Sequence, residues 1–189
     1  ISENKVVMLP NAADFDLSDS LLESFDDEAF RKELGLEGKF VITYVGAHGV
    51  ANDLGQLLDA AESLIDTNVV FQLIGSGMLK ETLIKDAKER GLDNVIFRKP
   101  VMKEEVFKYI LASDVGVSVL KKVDTFKTIY SNKTFDYMSC AKPVLLLIDG
   151  VSRELIESAK CGFYAEPENK PEILKAILKF HKLSTSELQ

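Results

Sequence analysis

The chain has 189 residues, 46% of them hydrophobic, enough for one domain whose core needs neither a disulfide nor a metal. A formal net charge of −7 argues against a nucleic-acid binder, and no apolar run approaches the roughly 20 residues of a membrane span. The only cysteines and histidines, Cys140, Cys161, His48 and His181, stand at no metal-ligand spacing, so no metal site is expected, and the low cysteine count fits a reducing compartment.

In chain order, Ile1 to Lys5 lacks the character of a signal peptide and reads like the middle of a longer chain. Val6–Pro10 predicts a strand, and Asp27–Leu34 a helix that stops at Gly35. Phe40–Gly46 predicts a strand, and Asp53–Ile65 a helix with Leu54, Leu57, Leu58, Ala61 and Leu64 on one face. Next come strand Val69–Gly75, helix Leu79–Arg90 stopped by Gly91, strand Val95–Arg98 and helix Glu104–Ala112. Strand Val115–Leu120 is followed by Lys121–Ser131, the longest stretch without a pattern, and then by helix Asn132–Cys140. Strand Val144–Ile148, helix Ser152–Lys160, strand Gly162–Ala165 and helix Pro171–Lys182 complete the series, with Pro171 suited to a first helical turn. The segment from Ser184 to Gln189 trails the last pattern and reads as a cut end.

The strands are continuous apolar runs without alternation, as a parallel sheet covered on both faces requires. Alternation of strand and helix then predicts an α/β, doubly wound parallel sheet, Rossmann-like in architecture, over one domain spanning residues 1–189. Ligands of such sheets bind outside the carboxyl ends of the strands. That rule points to five loops: Gly46–Asn52, Gly75–Met78, Arg98–Lys103, Lys121–Lys133 and Asp149–Arg153.

Three segments in these loops have chemistry to offer. Gly46 to Asn52 is a glycine-bearing turn before a helix, where backbone N–H groups and the helix N-terminus can meet a phosphate, although such turns also serve packing alone. Leu73 to Gly77 is a second strand-to-glycine turn, either a tight turn or a wall of a ligand pocket. Tyr130 to Pro143 combines a polar loop, Lys133, a helix N-terminus and a carboxylate, Asp136, one turn in. Lys133 and the backbone N–H groups near Thr134 could neutralise and bind a diphosphate, and Asp136 could accept hydrogen bonds from sugar hydroxyls. An acidic first turn that complements the helix dipole is the plain alternative. No GxGxxG fingerprint is present, which weighs against a dinucleotide-dependent oxidoreductase.

Taken together and in order, these segments resemble the C-terminal domain of the large retaining glycosyltransferase family with the GT-B fold, family 4, also called group 1. Val7 to Asp14 resembles its iPNGvD opening, Tyr44-Val45-Gly46 its YvG strand end, and Leu73 to Gly77 its iiG.G turn. Gly91 to Glu105, Ala112 to Val115, Lys133 to Pro143 (the K.fEYMA.gkPV pattern) and Gly150 to Gly162 complete the resemblance over the length of the chain.

The resemblance implies a donor-binding half of a two-domain enzyme that transfers a hexose-type sugar from a nucleotide diphosphate, a UDP-sugar being favoured, with no further cofactor. It implies that Gly46, His48, Gly49 and Gly75 line the pocket together with Ser131, Asn132, Lys133 and Thr134 for the diphosphate. Asp136 stands for the ribose contact, and Lys99, Val101 and Lys103 for the flank of the nucleobase. Catalytic residues are unassigned, since the acceptor site and any base belong to an N-terminal domain preceding Ile1. The expected setting is polysaccharide or glycolipid synthesis in the cytoplasm, with peripheral association of the full enzyme at the inner membrane face. The chain departs from the family pattern in five places, two of them Ala12, where glycine is usual, and Lys99, near the usual glycine of the fourth strand. Thr128 replaces the first of two glutamates, Asp136 is shorter than the second, and Ala47 to Asn52 contains no arginine or lysine, so that His48 or Lys133 would have to supply the charge. A non-catalytic α/β nucleotide-sugar-binding or regulatory module is the alternative. A receiver-like form of it fails because Asn11 and Ala47, not acids, follow the first two strands.

Overall fold

A computed structural model of the chain describes Val7 and residues 11–183. Six strands form one parallel sheet: β1 (Phe40–Val45), β2 (Val69–Ile74), β3 (Val95–Arg98), β4 (Val115–Val119), β5 (Val144–Leu147) and β6 (Gly162–Tyr164), in the spatial order β3-β2-β1-β4-β5-β6. All six expected strands of this sheet are present, each starting where the sequence places it. The strand expected at Val6–Pro10 lies, apart from Val7, outside the described residues.

Among the described residues eight helices cover the two faces: α1 (Phe15–Ser24), α2 (Asp27–Glu33), α3 (Gly55–Glu62), α4 (Lys80–Glu89), α5 (Lys103–Leu111), α6 (Asn132–Ser139), α7 (Val151–Ala159) and α8 (Lys170–His181). Alternate residues of each strand feed opposite cores. Phe40, Ile42 and Tyr44 of β1, with Phe71 and Leu73 of β2, Val115, Val117 and Val119 of β4 and Leu145 and Leu147 of β5, pack against Leu57, Leu58 and Ala61 of α3 and Ile177 and Phe180 of α8. On the other face, Val144 and Leu146 of β5 meet Phe107 and Ile110 of α5, Tyr137 of α6 and Ile156 of α7. Strands buried on both faces explain the unbroken apolar runs.

Helix α1 has no counterpart among the sequence expectations. Asp14 caps it, its side chain accepting from the Leu17 N–H at 3.3 Å, and Leu17 and Leu21, with Phe25 just beyond the helix, reach the core shared by α5 and α6. The stretch Lys121–Ser131, read as patternless, contains a short 3-10 helix over Asp124–Thr128.

Candidate functional site

The strand order reverses between β1 and β4, because β1 leads outward to β2 and β3 while β4 leads to β5 and β6. Loops leaving the carboxyl ends of β1 and β4 therefore diverge, and the gap between them is where an open α/β sheet receives a ligand. Pairing between the two strands is short: Ile42 faces Val115 and Thr43 faces Gly116, and the register ends there.

On the β1 side, the turn after Val45 is zipped to the turn after β2. Gly46 N–H donates to Ile74 O at 3.0 Å and His48 N–H to Ser76 O at 2.8 Å, while His48 O accepts from Leu79 N–H at 3.0 Å. The turn backbones touch, so a side chain at Gly75 would have its Cβ 1.9 Å from Gly46 O. Tyr44, fully buried, donates from its hydroxyl to Ala47 O at 2.8 Å and braces the turn from below.

On the β4 side, a buried hydroxyl pair, Ser118 and Thr134 at 2.8 Å, fixes the start of α6 above the strand. No side chain caps α6, so its first N–H groups face the gap without a side-chain acceptor. The Lys133 side chain, half-buried, lies with its Nζ 5.0 Å from the centre of the Tyr44 ring, and it donates to Ser131 Oγ at 3.3 Å. Its Cε would be 3.2 Å from a Cβ at Gly46, so Lys133 and the glycine turn are in contact across the gap. Among the described residues Lys133 has no carboxylate within ion-pair distance. Burial pushes its ammonium down to about 8, only partly opposed by Asp136.

Asp136 is half-buried one turn into α6, and burial raises its carboxyl above the ordinary range while Lys103 and Lys133 pull it back. Lys103, exposed at the start of α5, pairs with Asp14 at 2.6 Å. Asn11 donates to the Asn132 side chain at 2.5 Å, so the segment entering the domain touches the first turns of both α5 and α6. Lys99 is exposed and Val101 half-buried in the loop after β3. Lys80, which drew no attention in the sequence, donates to Gly75 O at 2.6 Å and also to Arg98 O, tying the ends of β2 and β3. Lys80, Lys99, Lys103 and Lys133 thus line one edge of a chain whose net charge is −7. Uncapped N–H groups, glycines that admit close backbone approach and an unpaired ammonium suit a multiply charged oxyanion.

The structure corrects one expectation. His48 is fully buried, its ring lying between Tyr44 and Phe97, with neither ring nitrogen hydrogen-bonded. Burial, with Lys80 nearby, lowers its pKa to about 4, so it is neutral at pH 7 and offers the gap only its backbone. Gly46, Gly49, Gly75, Ser131, Asn132, Lys133, Thr134 and Asp136 do come together around the β1/β4 gap or on the turns that wall it. Lys99, Val101 and Lys103 flank it on the β3 side. Thr128 is exposed, its hydroxyl donating to Thr125 O at 3.1 Å. A hollow of about 390 Å³ lies at the opposite end of the sheet, bordered by Lys142, Cys161 and Phe163. Among the described residues no three His, Cys, Asp or Glu side chains gather to hold a metal, and no helix is long and apolar enough to cross a membrane.

A six-stranded parallel sheet whose order reverses between β1 and β4, with helices on both faces, defines a Rossmann-like α/β class of domain. The pattern of the family described as "Glycosyl transferases group 1" matches residues 39–182, and the chain belongs to that family. A relative from Escherichia coli (strain K12), WcaI, whose name assigns it to colanic acid biosynthesis as a glycosyl transferase, is 31% identical over 98 residues, 51% of this chain and 24% of its own length. Among solved structures, WaaG, a glycosyltransferase involved in lipopolysaccharide biosynthesis, superposes with a TM-score of 0.79 at 19% identity over 99% of this chain and 50% of its own. Anabaena Alr3699/HepE, solved in complex with UDP and glucose, gives 0.76 at 20% identity over 94% of this chain and 47% of its own. At these identities the structural likeness establishes the fold alone, a Rossmann-like α/β domain of the kind these GT-B glycosyltransferases contain. The chain spans about half the length of these solved structures.

Proposed function

We propose that this domain binds the nucleotide diphosphate sugar donor of a hexosyl transfer, with a UDP-sugar favoured, and that transfer itself needs an N-terminal acceptor-binding domain of the same protein. The observation that carries the reading is the half-buried, unpaired Lys133 ammonium facing the Gly46 turn beside the uncapped start of α6. A diphosphate placed there receives Lys133 and the N–H groups of the Ser131–Thr134 turn, and these stabilise the charge that develops on it as the glycosidic bond breaks. Asp136 accepts from the ribose hydroxyls, while Lys99, Val101 and Lys103 flank the base. The relatives support the setting: HepE was solved with UDP and glucose, WcaI is named for colanic acid biosynthesis and WaaG for lipopolysaccharide biosynthesis. A cytoplasmic enzyme, peripheral at the membrane and acting on a polysaccharide or glycolipid acceptor by a retaining route, completes the reading. Titration calorimetry with UDP, GDP, ADP and NAD tests it. Selective binding of one nucleoside diphosphate is expected; binding of NAD alone, or of none of the four, would contradict it.

Two further outcomes follow. Lys133 is charged below its pKa of about 8, and a bound diphosphate holds the proton on it, so affinity is full below pH 8 and falls above it. From pH 7 to pH 9 the Kd for UDP should rise about tenfold beyond whatever uridine loses over the same range, since one unit past a pKa leaves about a tenth of the cation. Equal pH dependence for the two ligands would remove Lys133 from the phosphates. Asp136→Asn should keep the fold and weaken UDP about threefold to tenfold, about 1 kcal/mol for one hydrogen bond made weaker. A matching loss against 2′,3′-dideoxy-UDP would show that the carboxylate does not meet the ribose.

A further inference from the structure

Successive N–H and C=O groups of a strand point to opposite neighbours. Gly46 N–H donates to β2, so the N–H of Val45 faces β4. Gly116 N–H and Leu120 N–H both donate to residues of the β5 side, Pro143 and Leu147, so the C=O of Val117 faces β1. With Thr43 opposite Gly116, a regular parallel ladder would join Val45 N–H directly to Val117 C=O as its next rung. That rung is occupied by a side chain. The Tyr137 hydroxyl accepts from Val45 N–H at 3.1 Å and donates to Val117 O at 3.2 Å. The ring reaches this position from α6 by lying flat against β4 at Gly116, where an added Cβ would stand 2.2 Å from the ring's Cγ. Both backbone groups stay satisfied while the two strands are spread by the width of an oxygen atom.

We infer that Tyr137 is a wedge at the topological switch point, a positioning residue that holds β1 and β4 apart so that the Gly46 turn and Lys133 meet a diphosphate between them. The inference rests on the donor-binding reading above. Tyr137 touches no ligand itself, being fully buried. It acts through the strand ends, since Val45 leads straight into Gly46, and Thr134 and Lys133 precede Tyr137 on the same helical turn.

The test compares UDP, GDP and ADP binding by the wild-type chain and by Tyr137→Phe, with circular dichroism to confirm the folded state and uridine as a control. Phenylalanine keeps the ring on Gly116 and removes only the hydroxyl. The expected result is a folded variant whose Kd for the best-binding diphosphate rises about tenfold, with the Kd for uridine changed less than twofold. A folded variant with a diphosphate Kd within twofold of wild type, where wild type binds, would overturn the wedge and leave the donor reading intact. Failure of the wild-type chain to bind any of the three would instead overturn the donor reading and the positioning role with it. Should Tyr137→Phe not fold, the wild-type chain still decides: a slowly exchanging Tyr137 hydroxyl proton with a nuclear Overhauser effect to the Val45 amide is expected, and a direct Val45–Val117 hydrogen bond would overturn the proposal.

Discussion

Lys133→Ala is expected to weaken UDP binding between tenfold and a hundredfold while leaving uridine binding within twofold. A charge-assisted hydrogen bond to a phosphate is worth about 1.5–3 kcal/mol, and 1.4 kcal/mol is a factor of ten. The same substitution should cost the free protein little. The ammonium is already penalised by burial, as its lowered pKa records, and it has no carboxylate partner among the described residues to strand. What it loses is a contact with the Tyr44 face at 5.0 Å, about 0.5–2 kcal/mol for a partly desolvated cation, and a 3.3 Å hydrogen bond to Ser131 Oγ, against which stands the relief of its desolvation. A residue that contributes to ligand and not to stability is the signature of a binding group. Calorimetry for the two ligands and a thermal melt of the free variant distinguish the outcomes. Equal weakening of UDP and uridine would place Lys133 elsewhere than at the diphosphate.

Gly75→Ala is expected to have the largest effect on the fold. Its φ of 142° lies in a region that side-chain-bearing residues rarely adopt, and the new Cβ would stand 1.9 Å from Gly46 O and 3.0 Å from Gly46 C. The obstacle is backbone, so no rotamer change relieves it. The two turns must separate, breaking the Gly46 N–H bond to Ile74 O and the His48 N–H bond to Ser76 O. Overpacking combined with backbone strain gives a loss of about 3 kcal/mol or more. In a domain of this size that lowers Tm by roughly 6–12 °C. A melt within 2 °C of wild type would show that the turns are not held together as described. Because the Gly46 turn also walls the ligand gap, the variant should lose UDP affinity as well.

The sheet was legible because its strands are buried on both faces. A run such as Val69 to Ile74 admits no polar alternation, and Gly91 and Pro171 punctuate the helices beside it. Helix α1 was hidden because its apolar positions, Leu17, Leu21 and Phe25, are spread among acids and serines that the core tolerates on the outer side. The stretch Lys121–Ser131 was legible as a polar loop after β4, but not the 3-10 turn within it, whose Asp124 and Lys127 pair locally at 2.9 Å.

Within the site, glycines, Lys133 and the start of α6 could be read from residue type and order. The burial of His48 could not, since a histidine in a glycine turn looks the same whether its ring faces solvent or the Tyr44 and Phe97 rings. Tyr137 falls inside the stretch Lys133 to Pro143, where residue type alone gives it no role. Its role depends on which way Val45 N–H and Val117 C=O point, a matter of register that appears only once the strands are paired. Gly116 held a local hint, a glycine inside a central strand, which often marks close approach by another group.

The central claim is that a nucleoside diphosphate lies across the β1/β4 switch point with its phosphates at Lys133. Amide chemical-shift mapping of the isotopically labelled chain during a UDP titration tests it most directly. The expected result is a set of saturating shifts confined to residues 45–49, 75–77, 98–103 and 131–136, with the largest at the start of α6. Shifts centred instead on the hollow bordered by Lys142, Cys161 and Phe163 at the far end of the sheet, or none at saturating UDP, GDP and ADP, would contradict the account.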